Sequence, residues 1–239
     1  MVRGVIDRAF DGVVFDLYGT LVHEFRRDDF YEVVRGMADR LGADPGAFRR
    51  AWDASAIGRQ TGAFPDMAAN VRAIAADLGL RPADAAVSDA LAIRAAMYDR
   101  DFHPRPGALE TLTELKVRGY PVALISMCAP DTPALWRASA LAPFIDVEVF
   151  SSEVGLRKPD AAIYRYALER LGIGATRCLY CGDGAYGELT GAEAVGMTAV
   201  LILDPAVDQT TSLRPEGEVW AGATIGDLRE LLDRLPSLT

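Results

Sequence analysis

Five short apolar runs punctuate the chain, at 12–15, 121–125, 147–150, 178–181 and 198–203. Each is four to six residues long and rich in Val, Ile, Leu or Phe. Unbroken runs of this length fit strands buried on both faces. Between them lie helix-like segments, at 106–118, 132–141, 160–171 and 188–195. Strand alternating with helix predicts an α/β fold built on a doubly wound parallel sheet.

One stretch breaks that rhythm. From about residue 22 to 101 no strand candidate occurs. Segments such as FYEVVRGMADRLG, PGAFRRAWDASAIG, MAANVRAIAADLG and VSDALAIRAAMYD carry apolar residues three and four apart. Gly42 and Gly79 read as helix stops. The pattern predicts an inserted all-helical cap domain over 22–101, set on a core made of 1–21 and 102–239. Residues 203–218 read as an irregular surface segment.

Half of the 239 residues are hydrophobic and the formal net charge is −9, which argues against a nucleic-acid binder with a basic stripe. No apolar run approaches the roughly 20 residues of a membrane helix, and the first 20 residues lack the apolar segment of a signal peptide. Three cysteines are too few for a disulfide framework and suit a reducing compartment. A soluble cytoplasmic protein is expected, and a homodimer is left open. Cys178 and Cys181 form a C-x-x-C inside RCLYC. On a strand, residues three apart point to opposite faces, so the pair reads as structural.

Ligands of open α/β sheets bind beyond the carboxyl ends of the strands, and polar residues follow four of the runs. Asp16 follows the first, in DLYGTL, with Gly19 permitting a turn and Thr20 offering a hydroxyl. Ser126 follows the second, in LISMCAP, where it suits an anion's oxygen or a helix cap. Lys158 comes after the third, in GLRKPDAAIY, with Pro159 opening a helix. Asp183 and Glu188 bracket a glycine-rich turn after the fourth, in YCGDGAYGELTGAEAVGM. Two carboxylates at such a turn suit Mg²⁺, which takes oxygen ligands.

The order Asp, Ser, Lys and acidic pair, at spacings of 110, 32 and 25 residues, with a helical insert after the first, resembles the haloacid dehalogenase-like hydrolase superfamily. The resemblance spans 16–197 and implies a Rossmann-like hydrolase core. It makes Asp16 the nucleophile that becomes esterified, with Lys158 neutralising charge and Asp183 completing the catalytic set. Ser126 and Thr20 would hold substrate oxygens, with Tyr18, Gly19 and Met127 in the same substrate-binding loops. Mg²⁺ would take Asp16, the Tyr18 main-chain carbonyl and Asp183, with Glu188 through water. The substrate implied is a small anionic molecule.

Two departures divide the reading. Phosphatases of the superfamily carry a second Asp two residues after the nucleophile as general acid and base. Here that position is Tyr18, as in the D-x-Y-G-T pattern of 2-haloacid dehalogenases, whose halide leaving group needs no proton. Tyr164 fits the dehalogenases too. Their cap Arg, which cradles the halide, has candidates in Arg49, Arg50 and Arg59, each of which also reads as a solvated helix face. Against them, Met127 stands where they carry Asn, and Asp183 with Glu188 is a metal-competent pair. The leading expectation is Mg²⁺-dependent hydrolysis of a small phosphorylated metabolite, favouring leaving groups of low pKa. The alternative is a metal-independent 2-haloacid dehalogenase, and the third a degenerate member that binds without turnover.

GDGAYG, 182–187, also satisfies G-x-G-x-x-G, with Asp204 22 residues on. Two carboxylates in a turn meant for pyrophosphate argue against a dinucleotide. His23 and His103 flank the insert and read as surface residues. Trp52, Phe64 and Met67 read as cap core, and Cys128 is placed near the mouth of the site.

Overall fold

A computed structural model describes residues 9–203, 211–213 and 219–236. Asp204 and most of the 203–218 segment lie outside them. The sheet has six strands: β1 (Gly12–Phe15), β2 (Val122–Ser126), β3 (Val147–Phe150), β4 (Cys178–Gly182), β5 (Thr198–Ile202) and β6 (Ala223–Ile225). All neighbours pair in parallel, in the order β3-β2-β1-β4-β5-β6. The five runs are strands, shifted by at most one residue at their ends. Residues of β1, β2 and β4 are buried throughout, as expected when helices cover both faces of a parallel sheet.

β6 was not foreseen. Its three residues, between Gly222 and Gly226, are too few to show a period, and it forms the sheet edge beside β5. The terminal 3₁₀ helix Leu228–Arg234 was also missed. Its signal was readable, because Asp227 and Glu230 form a capping box ahead of an apolar run.

Side chains alternate along each strand, so Val13 and Phe15 enter one cluster and Val14 the other. The first lies against α6 (Ala108–Val117), Trp136 of α7 (Thr132–Arg137) and the terminal 3₁₀ helix. The second lies against Val154 of the short α8 (Ser151–Val154), α9 (Ala161–Leu171) and α10 (Glu188–Ala194). α7 stops four residues short of the expected end, where the Ser139 N–H turns back to the Trp136 carbonyl. Cys178 and Cys181 are free, buried and assigned to opposite clusters. The alternation argument therefore holds, and they form no paired motif.

The segment after β1 is helical: α1 (Arg27–Leu41), α2 (Pro45–Ala54), α3 (Ala56–Gln60), α4 (Met67–Asp77) and α5 (Asp84–Asp101). Gly42 ends α1 at φ 68°. One expected helix is broken at Ser55, whose hydroxyl donates to the Trp52 carbonyl at 2.9 Å. Such back-bonding bends helices. Four of these helices, α1, α2, α4 and α5, share a separate cluster that includes Met37, Phe48, Trp52, Ile74 and Tyr98. Two strands of chain join insert to sheet and pair with each other: the His23 N–H donates to His103 O, and the Arg105 N–H to Leu21 O. His23 and His103 themselves are exposed. No helix among the described residues is long and apolar enough to cross a membrane.

Candidate active site

β1 lies between β2 and β4, where the strand order reverses, and a crevice opens at such a point beyond the strand ends. Asp16, the first residue beyond β1, is fixed by its own N–H, which donates to the Cys181 carbonyl at 2.9 Å. Its carboxylate is held on both sides. Lys158 Nζ donates to Oδ1 at 2.6 Å and Thr20 Oγ1 to Oδ2 at 3.2 Å.

The loop after β4 brings the acidic pair alongside. Asp183 Oδ1 accepts from the Ala185 N–H at 2.9 Å. A side chain at Gly19 (φ 75°) would run into the Asp183 carboxylate, so glycine is required by both turn and space. Glu188 opens α10 and is almost fully enclosed. Its Oε1 accepts from the Gly184 N–H at 3.0 Å. Its Oε2 accepts from Lys158 Nζ and from the Tyr180 hydroxyl, both at 2.6 Å. Gly182 is packed against that carboxylate as tightly as Gly19 is against Asp183. Tyr164 donates to the Glu188 carbonyl at 2.9 Å, bracing the start of α10.

Carboxylate oxygens of Asp16, Asp183 and Glu188 all lie within 4.8 Å of one another, and the Lys158 ammonium pairs with Asp16 and Glu188. Burial alone would lower the Lys158 pKa, but Asp16 and Glu188 hold it above its ordinary value, so the ammonium stays charged. Burial, and then Glu188, push the Asp16 carboxyl upward against the pull of Lys158. The hard oxygen donor set fits a divalent cation such as Mg²⁺. Glu188, with both oxygens already bonded, suits an outer position better than direct ligation.

A cavity of about 160 Å³ opens from Asp16 and Asp183 toward the helical insert. Tyr18, Phe25, Phe30, Tyr98 and Met127 give it largely apolar walls. The Tyr18 hydroxyl bonds Thr132 Oγ1 at 2.9 Å, and its ring packs on Phe25 and Phe102. Burial raises its pKa well above the usual tyrosine value, so it is a poor proton donor and a poor base near neutrality. From the insert come Arg59 and Arg94, both buried. Gln60 Nε2 donates to the hydroxyl of Tyr186 at 3.0 Å, tying the insert to the acidic loop. Tyr186 holds a left-handed conformation, φ 58° and ψ 21°.

The residues singled out in the sequence thus converge, with some changes of part. Thr20 is fully buried and donates to Asp16, so it orients that carboxylate instead of facing the cavity. The Gly19 N–H is spent on Val22 O. The Ser126 hydroxyl is fully enclosed and has no hydrogen-bond partner. Met127 lines the cavity, and its Sδ accepts from the Lys158 N–H at 3.3 Å. Arg49 and Arg50 are exposed, whereas Arg59 is not the solvated residue its spacing allowed. Trp52 and Met67 belong to the insert's core. Arg94, Asp131, Tyr98 and Tyr180 were not anticipated. Their polar atoms sit on otherwise apolar faces, and only tertiary packing brings them together.

Known proteins agree with this architecture. The family model described as haloacid dehalogenase-like hydrolase matches residues 10–196. A phosphoglycolate phosphatase of Rhodospirillum rubrum is 33% identical over 93% of this chain and 90% of its own length. An (S)-2-haloacid dehalogenase of Burkholderia cepacia is 29% identical over 79% and 81%. A glyceraldehyde 3-phosphate phosphatase of Methanocaldococcus jannaschii is 31% identical over 56% of this chain, and the match spans 58% of that relative. Among solved structures, a phosphatase from Thermococcus onnurineus superposes with a TM-score of 0.67 at 23% identity, covering 95% of this chain and 99% of that one. An L-2-haloacid dehalogenase from Xanthobacter autotrophicus gives 0.62 at 21%, covering 96% and 100%. With the match covering the first four strands, the insert and all four strand-end positions, the chain belongs to the haloacid dehalogenase-like hydrolases.

Proposed function

We propose that this hydrolase is a Mg²⁺-dependent phosphatase-type enzyme that passes its substrate's phosphoryl group through Asp16. The observation that carries the reading is the buried group of three carboxylates, whose oxygens lie within 4.8 Å of one another. A site for a haloalkane carbon has no need of three clustered carboxylates, whereas a metal-assisted phosphoryl site does. Residues 22–101 act as the cap over a core of 1–21 and 102–239.

One carboxylate oxygen of Asp16 attacks phosphorus as the bond to the leaving group breaks, giving an aspartyl-phosphate and the released product. Water then attacks that phosphorus, restoring Asp16 and yielding inorganic phosphate. Lys158 holds Asp16 in place and offsets charge on the transferring group. Thr20 fixes the carboxylate's rotation. Asp16, Asp183 and the Tyr18 carbonyl would hold Mg²⁺, with Glu188 behind them. The ion would screen the repulsion between a carboxylate nucleophile and an anionic substrate. Tyr18 supplies no proton to the leaving group, so the enzyme favours acyl phosphates and activated esters over alkyl phosphates.

The test is hydrolysis of acetyl phosphate and p-nitrophenyl phosphate with Mg²⁺ and with EDTA. The reading expects release that needs Mg²⁺ and is lost in Asp16→Asn. Alkyl phosphates turned over equally fast would remove the leaving-group claim. A second reading, 2-haloacid dehalogenation without metal, rests on Tyr18, with Asp183 activating the water that opens the ester. Chloride release from 2-chloropropionate in EDTA would establish it. The third reading, binding without turnover, needs an enzyme with no covalent adduct on Asp16.

A further inference from the structure

At the cap end of the cavity the charge balance is reversed. Arg59 and Arg94 lie over the Trp52 ring, at 4.1 and 5.5 Å. Arg94 is satisfied: its Nε meets Asp131 at 2.5 Å, and its Nη2 bonds the Tyr98 hydroxyl at 2.6 Å. Arg59 has no ion-pair partner among the described residues. Its Nη1 donates to Trp52 O, Ser55 Oγ and Asn70 Oδ1 at 3.1, 2.9 and 3.2 Å. The Nε and Nη2 atoms make no hydrogen bond there. Close by, Trp52 Nε1 and Asn70 Nδ2 are buried donors without acceptors. A buried guanidinium without a counter-ion is unfavourable, and this one borders the cavity that begins at Asp16.

We propose that the open Nε–Nη2 edge of Arg59 receives a carboxylate at the far end of the substrate, so that the substrate is a small phosphate or acyl phosphate that also carries a carboxylate. The inference rests on the phosphoryl-transfer reading and adds the substrate's second charge. Three features favour a carboxylate. Two adjacent N–H groups of a guanidinium form a planar fork that matches two carboxylate oxygens. The three bonds on Nη1 hold that fork in place. The cavity is smaller than the roughly 300 Å³ or more of drug-sized ligand sites, which limits the chain between the two anionic ends to a few atoms. Burial and the neighbouring Arg94 bring the Arg59 pKa down only to about 10, which leaves it charged at neutral pH. The other carboxylate on the cavity wall, Glu24, bonds Ser212. Asp16 and Asp183 define the opposite, phosphoryl end.

Calorimetric titration of the full chain in Mg²⁺ tests this with three inert probes: methylphosphonate, phosphonoacetate and its neutral isostere phosphonoacetamide. The expected result is phosphonoacetate binding at least tenfold more tightly than phosphonoacetamide. In Arg59→Gln that gap closes to within twofold, and Arg59→Lys recovers part of it. The ligand comparison on the unsubstituted protein stands even where a variant does not fold. Equal affinity for phosphonoacetate and phosphonoacetamide, with methylphosphonate bound, overturns the carboxylate site and leaves phosphoryl transfer standing. No binding of any phosphonate, with no turnover of acetyl phosphate, overturns both.

Discussion

The two ends of the cavity present opposite charges. At the sheet end, the carboxylates of Asp16, Asp183 and Glu188 cluster within 4.8 Å, and Lys158 pairs with Asp16 and Glu188. At the cap end, Asp131 pairs with Arg94, while Arg59 has no ion-pair partner among the described residues. Both ends are buried, where water does little to absorb an unmatched charge. A chain of net charge −9 places two buried guanidinium groups opposite three buried carboxylates. The contrast teaches how one small cavity could sort a ligand's two ends. In the proposed reading, a metal-bound phosphoryl group meets the carboxylates and a substrate carboxylate meets Arg59.

The largest expected effect comes from making the sheet end worse. Lys158→Met should cut turnover of acetyl phosphate on the order of 10³-fold, the scale set by loss of a preorganised electrostatic group. Without Mg²⁺ it should also lower stability by about 3–5 kcal/mol, the cost of breaking a buried pair. Urea titration and steady-state assays check the two halves. A variant as stable as the parent would mean that the carboxylates do not burden the fold.

Mg²⁺ should relieve the repulsion among the same three carboxylates. At 100 times its Kd it adds about 2.7 kcal/mol of stability, visible as a higher Tm, and Asp183→Asn should abolish the rise. An unchanged Tm in Mg²⁺ would speak for the metal-free dehalogenase. On the cap side, Arg94→Met leaves Asp131 without its guanidinium. That carboxylate is partly exposed, so the expected loss is smaller, about 1–3 kcal/mol. A loss confined to a few tenths would show that the pair lies outside the cap's cooperative packing. The smallest effect concerns Cys128, which borders the cavity. Burial raises its thiol pKa to about 11, so alkylation should be slow at pH 8 and accelerate as the pH rises toward that value. Fast labelling at pH 7 would contradict its enclosure. Labelling that leaves the rate unchanged would remove any role for this wall.

Much of the sheet end was legible in the chain because its signals are local. A continuous apolar run must be a buried strand, and the polar residue ending it must lie at the sheet's rim. That places Asp16, Ser126 and Asp183 without any contact information. The C-x-x-C could be dismissed on strand geometry alone. The cap end was not legible in this way. Arg49, Arg50 and Arg59 look alike as members of a helical pattern. Which of them is buried depends on the break at Ser55, where a side-chain hydrogen bond splits one expected helix into α2 and α3. Thr20 was placed correctly in the loop but assigned to substrate, since one sequence does not reveal that its hydroxyl turns inward to Asp16. β6 escaped because three residues carry no usable period.

The central claim is that Asp16 becomes covalently phosphorylated. Rapid acid quench during acetyl phosphate turnover in Mg²⁺, followed by peptide mass spectrometry, tests it most directly. The account predicts one added phosphoryl group on the peptide containing Asp16, and none in Asp16→Asn. Turnover that continues in Asp16→Asn, or a phosphoryl group found on another residue, would contradict it.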